Sequence, residues 1–109
     1  MSINERRKKA LTMLNENFAN PRGFSINIPS LTFMPRKFAE EQKVPVRKKT
    51  VQIFNTCVID LYQNGIKVYT ACGNVKFNPN DEWNEDPYYN KPFERMKEDL
   101  EGYIRRNSK

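Results

Sequence analysis

NTCVIDLYQNGIKVYTACGN, residues 55–74, decides the fold. Two runs rich in β-branched and aromatic residues flank Asn64-Gly65. Asn-Gly is the favoured pair for a two-residue type I′ turn, because both central positions need positive φ. The stretch therefore predicts a hairpin over residues 50–77. A regular ladder from that turn sets Gln63 opposite Ile66, Leu61 opposite Val68, Ile59 opposite Thr70 and Cys57 opposite Cys72. The two cysteines are then cross-strand neighbours on one face. A bridge across such a hydrogen-bonded pair is strained, and a reducing compartment keeps the thiols apart. With no histidine in the chain, nothing activates either thiol or completes a zinc site. Both are expected as buried free thiols.

The ladder gives the hairpin two unlike faces. Val51, Ile53, Cys57, Ile59, Leu61 and Val68 form the better core face. Phe54, Val58, Tyr62, Tyr69, Ala71, Val75 and Phe77 share the other with Gln52, Thr56, Asp60 and Lys67. That second face suits either a second core layer or a platform for stacking bases.

Outward from the hairpin, Ser2-Ile3-Asn4-Glu5 fits a capping box. Ile3, Ala10, Leu11, Leu14 and Phe18 recur at helical spacing, so a helix is expected over about 3–18. Arg6, Arg7, Lys8 and Lys9 are expected on its polar face. Asn20-Pro21-Arg22-Gly23 ends it. Phe24, Ile26 and Ile28 alternate as a short strand that Pro29 ends or confines to an edge. Residues 35–42, PRKFAEEQ, suit two helical turns with proline in the first. KVPVRKK, residues 43–49, reads as a basic extended connection. At the far end, Asn90 is a good N-cap for a helix over about 91–106. Phe93, Met96, Leu100, Tyr103 and Ile104 form its apolar stripe. The fold expected is α+β: one domain over 1–109, with a small antiparallel sheet centred on the hairpin and a helix before and after it.

Charge adds direction. Residues 1–50 carry 11 Lys/Arg against 4 Asp/Glu, a net +7, whereas residues 51–109 carry 8 against 9. The excess points to an anionic partner or to a complex that holds one. Arg6, Arg7, Lys8, Lys9, Arg36, Lys37, Arg47, Lys48 and Lys49 are the candidate nucleic-acid contacts. Tyr62, Lys67 and Tyr69 beside the turn, with Trp83, Tyr88 and Tyr89, are the candidate protein contacts, since Tyr and Trp are favoured interface anchors.

Catalytic templates fail. The chain offers no histidine base and no glycine-rich phosphate loop among its 4 glycines. Asn78, Asn80 and Glu82 have the spacing of a calcium loop, but Trp83 stands where that loop needs glycine. Asp60, Asp81, Glu82 and Asp86 read as solvated carboxylates. No enzymatic activity, cofactor or metal is expected. No apolar run reaches the roughly 18 residues of a membrane span, and the basic start has no apolar stretch behind it. A cytoplasmic protein is expected.

The short basic start, the first helix, the Asn-Gly hairpin and GNVKFNPNDEW (73–83) leading to a final helix resemble small accessory proteins of tailed bacteriophages. The likeness covers about residues 57–104, and NEDPYYNK (84–91) is an insertion relative to the usual form. The resemblance implies a non-catalytic binder, cytoplasmic in a host bacterium. It would modulate host transcription, replication or defence, as inhibitors of CRISPR nucleases do. It carries over no site residue. Two alternatives remain open at this point. One is direct DNA or RNA binding through the basic first half. The other is a small oligomer that takes a nucleotide or metabolite.

Overall fold

The computed structural model describes the backbone of residues 2–41, 49–76 and 90–108, and the side chains of these except at 3, 35–41 and 49–53. The chain is α+β. Helix α1 (Ile3–Leu14) is followed by strands β1 (Ser25–Glu41), β2 (Lys49–Gln63) and β3 (Ile66–Lys76), then helix α2 (Asn90–Asn107). The strands form one antiparallel sheet in the order β1-β2-β3.

The expected local signals operate. The Ser2 hydroxyl accepts the Glu5 N–H at 3.2 Å and Glu5 reaches back to Ser2, closing the capping box. After α1 the chain continues as a π turn (Asn15–Ala19) and a 3₁₀ turn (Asn20–Arg22), then leaves through Gly23 at φ 88°. Asn15 Oδ1 accepts the Ile26 N–H at 2.8 Å, tying this helical end to β1. Asn64 and Gly65 have φ 54° and 78°, as a type I′ turn requires. Asn90, expected just before α2, is its first helical residue.

Three expectations are corrected. Residues 35–41 are strand, not helix: they pair with Lys49–Asn55, and the ladder outweighs a marginal local preference. The strand expected to be short runs on to Glu41; Pro29 does not end it but sits on an edge strand, as the other alternative had it, within a register shift between Asn27 and Thr32. The third correction has the widest effect. The hairpin register shifts between Leu61 and Tyr62, so Leu61 pairs with Tyr69, Ile59 with Ala71, Cys57 with Gly73 and Val58 with Cys72. One extra residue moves the side chains of β3 to opposite faces. Tyr69, Ala71 and Val75 join the face of Cys57, Ile59 and Leu61. Cys72 moves to the other face, so the cysteines are not cross-strand partners. Both thiols are free, with Cys57 buried and Cys72 half-buried.

Both helices pack on the Cys57–Ile59–Leu61 face. Leu11, Ile59, Leu61, Met96, Leu100 and Ile104 are fully buried there. Each such side chain contributes about 1.5–3 kcal/mol relative to exposure. α2 lies so close to β3 that a Cβ at Gly73 would stand 2.0 Å from the Pro92 carbonyl oxygen and 2.5 Å from the Met96 nitrogen. At that distance α2 satisfies the outer edge of β3. Asp99 Oδ2 accepts the Cys72 N–H at 3.0 Å, and Arg95 Nη1 donates to the Asn74 carbonyl at 2.9 Å.

Gly73→Ala is expected to cost at least about 2 kcal/mol in urea unfolding, since backbone rather than a flexible side chain must yield. An unchanged midpoint contradicts the close approach. Iodoacetamide is expected to alkylate Cys72 of the native protein before Cys57. Equal rates contradict the shifted register.

Candidate nucleic-acid interface

β3 pairs with β2 only between Phe54 and Gln63, whereas β1 continues to pair down to Glu41 opposite Lys49. Among the described residues, the sheet beyond Phe54 is therefore a two-stranded ribbon. From Arg36 opposite Phe54 to Glu41 opposite Lys49 is five register steps, about 17 Å of strand. The radius of gyration, 16.4 Å, exceeds the roughly 13 Å of a compact chain of this length, and the long axis is 53 Å. Residues 35–53 hold six Lys/Arg and two Glu, a net +4 out of the chain's +6. Antiparallel pairing thus gathers Arg36, Lys37 and Lys49 onto one narrow element, with Lys37 opposite Ile53. Arg47 and Lys48 lie outside the described residues, in the segment joining the two strands.

At the base of the ribbon, Phe33 stacks on Phe93 of α2 with ring centroids 6.4 Å apart. The Arg7 guanidinium lies 4.9 Å from the Phe33 ring centre and 5.4 Å from that of Phe93. Its Nη2 donates to Asn90 Oδ1. Arg7 is 4% exposed. It is therefore a pin joining α1, β1 and α2, not a phosphate contact, which corrects its assignment to the polar face. A desolvated cation against aromatic rings is worth about 2 kcal/mol. The signal was present in the spacing: Arg7 precedes Leu11 by four residues and so shares the apolar face of α1. Arg6, Lys8 and Lys9 are exposed as expected. Arg6 also borders a shallow groove of about 280 Å³ with Arg7, Asn90, Phe93, Glu94 and Lys97.

The patch beside the turn divides. Tyr69 is half-buried, its ring stacked on Tyr103 at 4.1 Å and its hydroxyl donating to Asp99 Oδ1 at 2.7 Å. That hydrogen bond, then burial, then the Asp99 charge push the phenol up to about 12. Tyr69 is thus packed against the core, the alternative to its place in a partly exposed contact patch. Tyr62 is half-buried and borders a shallow hollow with Ser25, Asn27 and Gly65. Lys67 is exposed, and Ile66 beside it is 68% exposed, a feature the sequence reading passed over. Trp83, Tyr88 and Tyr89 lie outside the described residues, as do Asp81, Glu82 and Asp86.

The face turned away from the helices is polar at its centre. Thr56 donates to Asn74 Oδ1 at 2.7 Å and Thr70 donates to Asp60 Oδ1 at 2.8 Å. Among the described residues no three Cys, Asp or Glu side chains converge as a metal site, and no helix is long and apolar enough to cross a membrane. Burial pushes the Cys57 thiol up to about 12, with nearby Arg7 opposing the rise, so it is no nucleophile at neutral pH. No family model, curated protein or solved structure matches the chain.

Arg7→Ala is expected to destabilise the protein by on the order of 2 kcal/mol, and Arg6→Ala or Lys8→Ala by no more than about 0.5 kcal/mol. Equal effects contradict the pinning role. Stability is also expected to fall at alkaline pH. Above pH 9 the unfolded chain releases the Cys57 proton that the native state keeps to about 12, and Tyr69 adds to this above pH 10. The urea midpoint should drop between pH 8.5 and 10.5, less steeply in Cys57→Ala. The same slope in both contradicts the buried, neutral thiol.

Proposed function

We propose that the protein is a non-catalytic binder that engages nucleic acid through the β1–β2 ribbon and the exposed cations of α1. The observation that carries the reading is the ribbon itself. Arg36, Lys37 and Lys49 fall on a two-stranded element that, among the described residues, extends past the third strand, and Lys43, Arg47 and Lys48 follow in the segment between its strands. Phosphate neutralisation by Lys and Arg supplies sequence-independent affinity. Arg36, Lys37 and Lys49 sit on that element, Arg47 and Lys48 in the segment that joins its strands, and Arg6, Lys8 and Lys9 on the helix at its base. Engaging about four phosphates predicts a loss of roughly a hundredfold in affinity between 50 and 200 mM salt. Reversing the charge of Arg36, Lys37 and Lys49 together is expected to cost at least tenfold in anisotropy titrations, with the circular dichroism spectrum unchanged. Binding indifferent to that change rejects the ribbon.

A second reading is docking on a host protein that handles nucleic acid, in the manner of phage-type inhibitors. It is favoured by the hairpin turn, where Ile66 is 68% exposed beside Lys67 and Tyr62. Ile66→Asp should then weaken a mapped protein complex and leave nucleic-acid affinity unchanged.

A further inference from the structure

We infer that the outer edge of β1 pairs with a second copy of this chain, residues 36–41 of the two molecules meeting antiparallel about a two-fold axis. The inference stands apart from the nucleic-acid reading above.

The sheet order makes β1 an edge strand. Among the described residues, β2 is its one strand partner, whereas the outer edge of β3 is taken by Asp99 and Arg95 of α2. A long unpaired edge is a template for another chain. The first half of β1 is blunted against that. Asn15 Oδ1 takes the Ile26 N–H, Pro29 stands within the register shift between Asn27 and Thr32, and Pro35 brings no N–H. Past Pro35 the strand reads RKFAEE, residues 36–41, with no further proline and no further shift of register before Glu41.

The order of charges in that stretch is its own complement. An edge guarded by charges of one sign repels a second copy. Here two cations are followed by two anions, and a two-fold axis reverses the order on the partner. In an antiparallel ladder, alternate residues turn their N–H and C=O to one neighbouring strand and the residues between turn theirs to the other. Two copies of one edge therefore meet only with residues of like parity opposite each other. A register centred on Phe38 sets Arg36 opposite Glu40 twice, once on each side of the axis. A register centred on Ala39 sets Lys37 opposite Glu41 twice. Opposite charges across a ladder stabilise it and like charges destabilise it. Moving the axis one residue further sets Lys37, or Glu40, opposite its own copy. A parallel alignment in register sets every charge beside its own kind. The sequence thus selects antiparallel pairing and confines it to two neighbouring registers. The joined edges turn the two-stranded ribbons of both copies into one four-stranded sheet. A ladder of six residues falls below the roughly 1,200 Å² of a stable complex, so the dimer is a reversible one.

The test is sedimentation velocity on the full chain alone, from about 10 µM to about 1 mM in low salt. The sedimentation coefficient is expected to rise with concentration towards that of a dimer. Two variants, Glu40→Lys with Glu41→Lys and Arg36→Glu with Lys37→Glu, are each expected to associate at least tenfold more weakly. Their equimolar mixture is expected to regain association, because every charge on one copy then faces the opposite sign on the other. Both variants keep a net positive charge, so overall attraction does not explain that recovery. The fourfold exchange of all these residues restores the complement within one chain and is expected to dimerise as the parent does. A parent that stays monomeric throughout overturns the inference. So does either double variant that associates as tightly as the parent, or a mixture no tighter than its components.

Discussion

The approach of α2 to β3 at Gly73 is the constraint on which the rest depends. A helix axis ordinarily stands off a sheet by the length of the side chains between them. Here the first turn of α2 comes down until its backbone occupies the space a Cβ at position 73 would need. At that height, side chains at 95, 99 and 103, one helical repeat apart, reach the outer edge of β3. The Asp99 carboxylate takes the Cys72 N–H with one oxygen and the Tyr69 hydroxyl with the other. Tyr103 stacks on Tyr69 and closes the same corner. An edge that could template pairing with another chain is covered by the protein's own helix. Among the described residues, the far end of β1 and β2 extends as the two-stranded ribbon.

Arg7 performs the matching task on the opposite flank. It fills the space between α1, Phe33 and Phe93 with a cation whose charge is balanced by ring faces and the Asn90 carbonyl. The cost of burying it falls on the core, and the benefit is a fixed junction where α1, the ribbon and α2 meet. Three neighbours in sequence, Arg6, Lys8 and Lys9, are thereby held in the open at that junction.

The hairpin, its turn and both helices were legible because each has a strong local cause: Asn-Gly at positive φ, a capping box, and apolar stripes at helical spacing. The register beyond the turn was not. Alternation predicts which residues share a face only while the ladder is unbroken, and no residue at Leu61-Tyr62 announces the shift that exchanges the faces of β3. That single step explains why Tyr69 and Val75 are core and why Cys72 is not opposite Cys57. Residues 35–41 misled for a different reason: proline followed by charged residues is locally suited to a helix, and only pairing with partners eight to twenty residues away makes it a strand. The basic residues of the candidate site were readable as residues but not as a site. Arg36 and Lys37 share one element with Lys49 only through that same pairing.

If the ribbon and the adjoining face of α1 carry binding, the polar sheet face stays idle. Amide chemical-shift mapping during titration with nucleic acid decides between them. Perturbations are expected at 35–41, 49–53 and the first turns of α1, with Thr56, Asp60, Thr70 and Asn74 unmoved. Perturbations centred on those four residues, with the ribbon silent, would contradict binding by the ribbon.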